Sequence, residues 1–340
     1  MSDGLTYRDA GVDLDAAARA KARLAELVEG TRTDAVTSRF GSFGGRFRST
    51  PGRDLVASVD GVGTKLKVAF LADRHDTVGV DLVNHCVNDI LAEGARPLVF
   101  MDYVACGRLD PDVVTAVVAG LARACTSNGC ALVGGETAEM PDFYAEGEYD
   151  LAGFVVGEVA YPALAERAVR EGDVLLGLAS SGFHTNGFSF VRALVFERLG
   201  LDVSDPFPGS DRSVADVLLT PHRSYLACLE PSLSGGRIRA LAHITGGGIP
   251  GNLDRVLPPD LDAAVRTSAW TPSLEFEVMA RESGAARDEL FRVFNMGVGM
   301  IAIVPADEAG TVASETTAAG CETFPIGELV GGSGRVRLLT

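Results

Sequence analysis

The sequence has no apolar run long enough to cross a membrane, which would need about 20 predominantly apolar residues. Its N-terminal region also lacks the uninterrupted apolar core of a secretory signal, because charged residues recur from Arg8 to Arg19. We therefore predict a cytoplasmic protein with no membrane partner.

Basic residues are scarce relative to acidic ones. Lysine and arginine total 30 against 46 aspartates and glutamates, which gives a formal net charge of −16. Such a surface repels nucleic-acid phosphates, so we predict no nucleic-acid partner. A small phosphorylated substrate is still compatible with this charge, because a bound metal ion can reverse the local field.

Cysteines are few, and none of the six forms a CxxC pair. Neither a zinc site nor a redox motif is therefore indicated. The chain has 340 residues and can bury large cores without disulfides, so the cysteines are interpreted as reduced, mostly buried thiols of a cytosolic protein.

Glycine is abundant, with 40 residues, and many of them are clustered. Glycine suits positions where the backbone bends sharply or approaches a ligand closely. The clusters are interpreted as loops at the ends of helices and strands, and they lie at 41–45, 61–63, 134–135, 246–248 and 297–299.

Strand and helix signals alternate along the chain, which predicts a mixed α/β fold. The predicted strands are 55–59, 98–106, 131–133, 149–159, 174–179, 238–243 and 299–304. The predicted helices are 64–73, 81–93, 111–127, 187–199, 214–229, one that begins near Gly248, and two that follow Trp270. An interruption at 160–172 predicts two units, 1–165 and 166–340.

The predicted helix 81–93 carries unusual polar residues. Its apolar side chains cover one side, and Asp81 (a candidate N-cap), Asn84, His85, Asn88 and Asp89 cover the other. An amphipathic helix with a wet face is the simplest interpretation. However, Asn and Asp each cost up to about 0.7 kcal/mol relative to Ala inside a helix, so this face is expected to serve something other than water. Such side chains suit a metal–phosphate cluster.

A glycine turn with a carboxylate, a hydroxyl and an amine follows the first predicted strand, in the segment SVDGVGTK that begins at Ser58. Asp60 could hold a metal, Gly61 and Gly63 would let the backbone approach a phosphate, and Thr64 and Lys65 would meet it at a helix start. The spacing is not that of a Walker A motif. A tight strand–helix turn with a solvated Lys65 is the alternative.

Two further loops combine glycine with polar side chains. GGETAEMP, from Gly134, places Glu136 and Thr137 beyond a strand, and SSGFHTNG, from Ser180, offers hydroxyls, an imidazole and an amide before a helix. His184 lies where α/β sheets commonly bind ligands, so it is a candidate functional residue. The other four histidines have weaker contexts.

Together these segments resemble the phosphoribosylformylglycinamidine cyclo-ligase family, also called aminoimidazole ribonucleotide (AIR) synthetases. The similar stretches span positions 7–300 and read YRDAGVD, SVDGVGTKL, GVDLVNHCVND, DILAEGARP, LVGGETAEMP, SSGFHTNGFS, HITGGG and FNMGVGM. One such motif would be weak, whereas eight in family order are specific. The resemblance implies a two-domain AIR synthase-like fold, an N-terminal sheet that pairs across a homodimer, and a C-terminal α/β domain.

The resemblance also implies an activity and a site. The activity is ATP-dependent closure of formylglycinamidine ribonucleotide to AIR, with release of ADP and phosphate, in purine biosynthesis. The implied Mg²⁺ ligands are Asp60, Asp89 and Glu136, and the implied catalytic residues are His184, Lys65 and Asp89. The predicted ATP and phosphate contacts are Gly41, Phe43, Gly44, Gly45, Gly61, Gly63, Thr64, Lys65, Asn88 and Thr137. The predicted substrate contacts are Ser180, Ser181, Gly182, His184 and Asn186.

Two alternatives remain at this stage. One is another ATP-using member of the superfamily, such as a kinase or an amidotransferase subunit. GGETAEMP and SSGFHTNG argue against it, because they resemble the cyclo-ligase. The other is a non-catalytic nucleotide-binding homologue, supported only by departures from the family pattern at positions 25 and 37–40, since a fold by itself does not prove a function.

Overall fold

A five-stranded sheet organises the first half of the chain. The structure is a computed structural model that describes residues 4–340, without the side chains of residues 22, 26 and 165. The strands lie in the order β1-β2-β5-β3-β4, and β3 and β4 form the parallel pair. Their bounds are β1 (Gly45–Thr50), β2 (Arg53–Gly61), β3 (Ala95–Cys106), β4 (Ala131–Glu139) and β5 (Tyr149–Val159).

Helices cover one face of this sheet and leave the other face open. The helices of this half are α1 (Leu14–Glu29), α2 (Lys65–Ala72), α3 (Val78–Ala92) and α4 (Pro111–Ser127). Helix α3 packs against β2, β3 and β5, while the opposite face exposes Val59, Met101, Val133 and Phe154. That open apolar face is large for a sheet with no partner in the same chain.

A six-stranded sheet organises the second half, in the order β11-β8-β10-β6-β9-β7. Its strands are β6 (Val174–Ala179), β7 (Ala240–His243), β8 (Leu261–Arg266), β9 (Val298–Val304), β10 (Thr323–Gly331) and β11 (Val336–Leu339). The helices are α5 (Pro162–Glu166), α6 (Phe188–Arg192) with a π-helical continuation (Ala193–Arg198), α7 (Val214–Leu218), α8 (Leu226–Ser234), α9 (Gly248–Leu253) with a 3₁₀ turn (Asp254–Val256), α10 (Leu274–Ser283), α11 (Arg287–Val293) and α12 (Ala309–Ala318).

The mixed α/β prediction is confirmed, and several elements have the predicted bounds, namely 111–127, 149–159 and 174–179. The predicted helix 214–229 is wrong, because α7 ends at Leu218 and α8 begins only at Leu226. Pro221 opposes a continuous helix there, since it lacks an N–H and clashes with the preceding turn. The predicted N-cap at Asp81 is also wrong, because α3 begins three residues earlier at Val78.

The N-terminal segment packs against the second half of the chain. The amide of Leu5 donates to the carbonyl of Ser283 at 3.2 Å, and the amide of Tyr7 donates to Glu289 Oε1 at 2.9 Å. Residues that are far apart in the sequence are thus held together at α10 and α11.

Two sequence expectations concern burial. All six cysteines are free and buried, as predicted for thiols that fill the core. Within residues 4–340, no helix is both long and apolar enough to span a membrane.

Candidate active site

The polar face of α3 is buried against the second half of the chain. We call this contact region between the two halves of the chain the seam. Five polar side chains of α3 lie in it with little or no exposure, namely Asp81, Asn84, His85, Asn88 and Asp89. The prediction that this face serves something other than water is therefore confirmed.

Lys65 crosses the seam from the start of α2. Its Nζ donates to Asp81 Oδ1 at 2.8 Å, to the carbonyl of His184 at 3.1 Å and to the carbonyl of Thr220 at 2.9 Å. An ammonium group has three N–H donors, so all are used. The side chain is fully buried and holds the two halves together, and its expected phosphate contact stays a prediction.

Asn88 is used in the same way. Its Oδ1 accepts the amide of Tyr225 at 3.0 Å, and its Nδ2 donates to the carbonyl of Arg223 at 2.8 Å and lies 3.2 Å from His222 Nε2. Asn88 therefore also connects the two halves, and its expected ATP contact stays a prediction.

Asp60 and Asp89 form a carboxylate pair where β2 ends beside α3. Ser58 Oγ donates to Asp89 Oδ2 at 3.3 Å, and His85 Nε2 lies 3.5 Å from Asp60 Oδ1. Burial raises the pKa of Asp60 to about 7, with a smaller contribution from the charge of Asp89. Burial also raises the pKa of Asp89. Paired carboxylates that water cannot fully solvate are an oxygen-donor set suited to a hard divalent cation.

The glycine loop 41–45 lies next to this pair. Phe43 is buried, its amide donates to Glu93 Oε1 at 3.1 Å, and its carbonyl accepts Ser58 Oγ at 3.4 Å. Gly41 has a φ of +90°, and a Cβ on Gly44 would come within 2.7 Å of a Val56 methyl group. These two glycines are therefore required by the turn and by close packing, while Gly45 begins β1.

The turn after β2 is more open. Gly61 and Thr64 are exposed, and Gly63 has a φ of +66° with open space where a Cβ would lie. Thr64 Oγ1 lies 3.2 Å from Ser189 Oγ and does not cap α2. Of the predicted phosphate-binding residues in this segment, these three thus have backbone or side-chain groups facing solvent.

The loop 180–187 enters the seam from the second sheet. Ser180 Oγ donates to Asn295 Oδ1 at 3.2 Å, and Ser181 Oγ donates to the carbonyl of Pro221 at 2.6 Å. Gly182 has a φ of +138°, and His184 adopts the left-handed region with a φ of +58°. Among the residues that the structure describes, Asn186 Nδ2 and His184 Nδ1 are buried without hydrogen-bond partners, so both have polar atoms available to a ligand.

Glu136 and Thr137 lie elsewhere. They are exposed on the edge strand β4, where Glu136 pairs with Tyr103 of β3. Strand β2 is three strands away, or roughly 14 Å at the usual strand spacing. Within one chain, Glu136 and Thr137 are therefore separate from the pair Asp60 and Asp89.

Sequence reasoning missed a cluster of four buried imidazoles in the seam. His222 Nε2 lies 3.0 Å from His243 Nε2, and the rings of His184 and His222 stack with centroids 3.9 Å apart. His243 Nδ1 lies 2.7 Å from Asp89 Oδ1, and His85 Nδ1 lies 2.8 Å from Thr185 Oγ1. Burial lowers the pKa of His243 to about 3. One available signal was that His243 ends a strand three residues before a glycine triplet, whereas nothing in the sequence links it to His222.

The comparison with protein families agrees with this division of the chain. The family described as AIR synthase related protein, N-terminal domain, matches residues 18–159. The family described as AIR synthase related protein, C-terminal domain, matches residues 170–338. The two sheets and the seam between them are therefore those of a two-domain AIR synthase related protein.

Individual relatives narrow this class. The phosphoribosylformylglycinamidine cyclo-ligase of Bordetella petrii is 47% identical over 96% of this chain and 94% of its own length. That of Trichlorobacter lovleyi is 44% identical over 95% of this chain and 94% of its own length. The chain belongs to the phosphoribosylformylglycinamidine cyclo-ligase family.

A solved structure supports the fold. The hydrogenase maturation protein HypE in complex with ATP is similar with a TM-score of 0.63, covering 91% of this chain and 85% of its own. Its sequence identity is 22%, so this similarity concerns the fold alone.

Proposed function

We propose that this chain catalyses the ATP-dependent cyclisation of formylglycinamidine ribonucleotide to AIR, with release of ADP and phosphate. Membership of the cyclo-ligase family supports the reaction. The observation that carries the proposal in the structure is the pair formed by the half-buried Asp60 and the buried Asp89. The pair lies beside the loop 41–45 and faces the loop of His184 across the seam through His85.

The chemistry needs an activated oxygen. An amide oxygen is a poor leaving group, so the γ-phosphoryl group of ATP passes to the formyl oxygen and ADP leaves. The amidine nitrogen then attacks that carbon, the carbon–oxygen bond breaks, phosphate departs, and a proton is lost from the attacking nitrogen. Phosphoryl transfer depends on positioning and charge neutralisation more than on covalent help from the protein.

Asp60 and Asp89 would hold Mg²⁺, which supplies that charge neutralisation. The fit rests on burial, which raises the pKa of both carboxyls, and on the charge of Asp89, which raises the pKa of Asp60 further, so that a cation would stabilise the ionised pair. Backbone amides of the loop 41–45 and of Gly61–Thr64 would face the phosphates of ATP.

The loop 180–187 would bind the phosphorylated substrate. Ser180 also lines a cavity of about 400 Å³ with Trp270, Ser273, Gly297 and Phe324. His184 would contact the substrate phosphate or move a proton. Lys65 would act as a positioning residue, because it fixes the carbonyl of His184.

We further propose that the chain acts in the cytoplasm as a homodimer of two-unit protomers, 1–165 and 166–340. The exposed apolar face of the first sheet supports the dimer, since Val59, Met101, Val133 and Phe154 lie on it. Glu136 and Thr137 lie on β4 at the edge of this sheet, so a dimer formed through this sheet would place them against the partner protomer. The division into units is supported by sheets that end at Val159 and restart at Val174.

The decisive test is an ADP-release assay with MgATP, run with and without formylglycinamidine ribonucleotide, in which the product is also identified. We expect ADP release that depends on substrate and yields AIR. Asp89→Asn should lower turnover at least tenfold, whereas the control Asp54→Asn, at the other end of β2, should be near wild type. ADP release without AIR would indicate another acceptor, as in a related kinase, and ATP binding without turnover would indicate a homologue that has lost its chemistry.

A further inference from the structure

Two imidazole nitrogens face each other in the seam, and their other hydrogen bonds leave neither of them with a proton to donate to the other. His222 Nε2 and His243 Nε2 are 3.0 Å apart, and both rings are fully buried. Neutral imidazole carries one proton on its two nitrogens, so the partners of the other nitrogens decide what faces this contact.

The partners of His222 leave a lone pair on Nε2. Asn88 cannot be flipped, because its Oδ1 accepts the Tyr225 amide at 3.0 Å. One Nδ2 proton of Asn88 goes to the carbonyl of Arg223 at 2.8 Å, and the other points at His222 Nε2, 3.2 Å away. The proton of His222 therefore lies on Nδ1, which faces Thr185 Oγ1 at 3.5 Å.

The hydrogen-bond partner of His243 Nδ1 likewise leaves a lone pair on Nε2 of that ring. Its Nδ1 lies 2.7 Å from Asp89 Oδ1 and donates to that carboxylate in the ionised form that the proposed magnesium role requires. This step rests on the proposed function. His243 Nε2 is then a lone pair as well, and two lone pairs meet at 3.0 Å in a buried place. Such a contact needs a positive species, either a shared proton or a metal ion.

The surroundings favour a metal ion. Two nitrogens bound to one Zn²⁺ at about 2.0–2.1 Å lie roughly 3.3 Å apart in a tetrahedral site, close to the observed separation. A histidine whose other nitrogen donates to a carboxylate, as His243 does to Asp89, is the usual support for a metal-bound imidazole. His184 supplies a third ring, since one nitrogen from each of the three histidines lies within 4.8 Å of the others.

The structure assigns a second metal site to this seam: His222 Nε2 and His243 Nε2, with His184 as the third ligand, bind a nitrogen-preferring divalent ion such as Zn²⁺ or Co²⁺. It differs from the proposed Mg²⁺ position, whose donors are carboxylate oxygens. Among the described residues, His184 Nδ1 is buried without a partner. Its use would turn the ring out of its stack on His222, move the ring proton to Nε2 and release the Ser181 amide, now 3.2 Å away. Binding would also replace the longer contact of Asn88.

Such an ion would couple the two halves of the chain. The three histidines belong to the second half, while Asp89, which supports His243, lies on α3 of the first half. Occupancy is therefore expected to raise the melting temperature of the whole protein rather than that of one half.

The test is a Co²⁺ titration of the full-length, chelator-treated protein without Mg²⁺ or nucleotide, so that it does not depend on activity. We expect the visible d–d absorption of four-coordinate Co²⁺ at one equivalent, its displacement by Zn²⁺, and a higher melting temperature. His222→Gln should weaken Co²⁺ binding at least tenfold, whereas the control His75→Gln, outside the cluster, should bind like wild type.

Two results would overturn the site. One is a wild-type protein that takes up no Co²⁺ at one equivalent, which would favour a shared proton between the rings. The other is an unchanged spectrum in His222→Gln. Should that variant fold poorly, X-ray absorption of the Zn²⁺-loaded wild type decides instead: two or three imidazole ligands support the site, and an all-oxygen shell contradicts it.

Discussion

Lys65 Nζ and Asp81 Oδ1 form a 2.8 Å ion pair in which neither side chain has any solvent exposure. Asp81 also accepts a hydrogen bond from the amide of His222 at 2.7 Å, so the ion pair fixes the segment between α7 and α8. Burial lowers the pKa of Lys65 and raises that of Asp81, and the attraction between the two charges opposes both shifts, which leaves the pKa of Asp81 at about 6. Each charge therefore depends on the other to remain ionised in the seam.

Removing only one partner should be costly. Lys65→Met leaves Asp81 buried without its cation, and breaking a buried pair in this way typically costs about 3–5 kcal/mol. We expect a loss of that size in the free energy of unfolding, measured by urea denaturation. Lys65→Met combined with Asp81→Asn should lose less than Lys65→Met alone, because no charge remains unpaired.

An exposed ion pair provides the control. Arg108 and Glu146 are 2.9 Å apart with more than two thirds of each side chain exposed. Arg108→Met should change the free energy of unfolding by less than about 1 kcal/mol. Equal effects of Arg108→Met and Lys65→Met would contradict the role assigned to Lys65.

Phe154→Glu should dissociate the proposed homodimer. Phe154 lies at the centre of the exposed face of the first sheet, where a charge would be buried on pairing. We expect a monomer by sedimentation velocity at concentrations where wild type is a dimer. Leu71→Glu, on the exposed side of α2, is the matched control and should leave the dimer intact. A wild-type monomer would rule out this use of the face.

Acid should destabilise the protein through its buried histidines. Burial, and then the charge of Arg255, lower the pKa of His243 to about 3 in the folded state, whereas an unfolded imidazole titrates near 6.5. The unfolded chain thus binds the proton first, so this stability is complete above pH 6.5 and is lost as the pH falls towards 3. The slope per fully buried histidine is up to about 1.4 kcal/mol per pH unit.

Urea unfolding at a series of pH values with a chelator present would measure this loss. His243→Gln should flatten the dependence between pH 6.5 and pH 4, because one titrating group is removed, and His75→Gln should change it less. An identical pH dependence in His243→Gln and wild type would show that His243 does not stay neutral in the folded protein.

Gly299→Ala should disturb His184 directly. A Cβ at this position would lie 2.0 Å from Tyr225 Oη and 2.5 Å from His184 Cε1, so the ring must move. We expect turnover with formylglycinamidine ribonucleotide to fall at least tenfold. Gly310→Ala is the control, because a Cβ there meets nothing within 4 Å in α12 and should stabilise the helix by up to about 1 kcal/mol. Full activity of Gly299→Ala would show that the position of His184 is not needed for turnover.

Local pattern was sufficient for much of this fold. The strand Tyr149–Val159 and the helix Pro111–Ser127 are bounded by residues that end elements for local reasons; Asp110, for example, caps the helix through its side chain. The polar face of α3 was recognised as unusual from composition, because Asn and Asp are poor helix residues that need a compensating partner.

The partners themselves could not be read from the sequence. Lys65 was predicted at a phosphate because it follows a glycine turn, yet its acceptors are Asp81 and the carbonyls of His184 and Thr220, the last 155 positions away. Glu136 was grouped with Asp60 because the family resemblance implied a shared metal, whereas strand order, which depends on long-range pairing, separates them within one chain. The histidine cluster has the same origin, since His222 and His243 meet Asp89 only once the halves are packed.

The N-terminal segment has a consequence for synthesis. The amide of Tyr7 is bound by Glu289, 282 positions later in the chain. At about 5–20 residues per second, roughly a quarter of a minute to a minute separates their emergence from the ribosome. Tyr7 therefore emerges long before its native partner, and the first sheet, complete at Val159, can form in that interval.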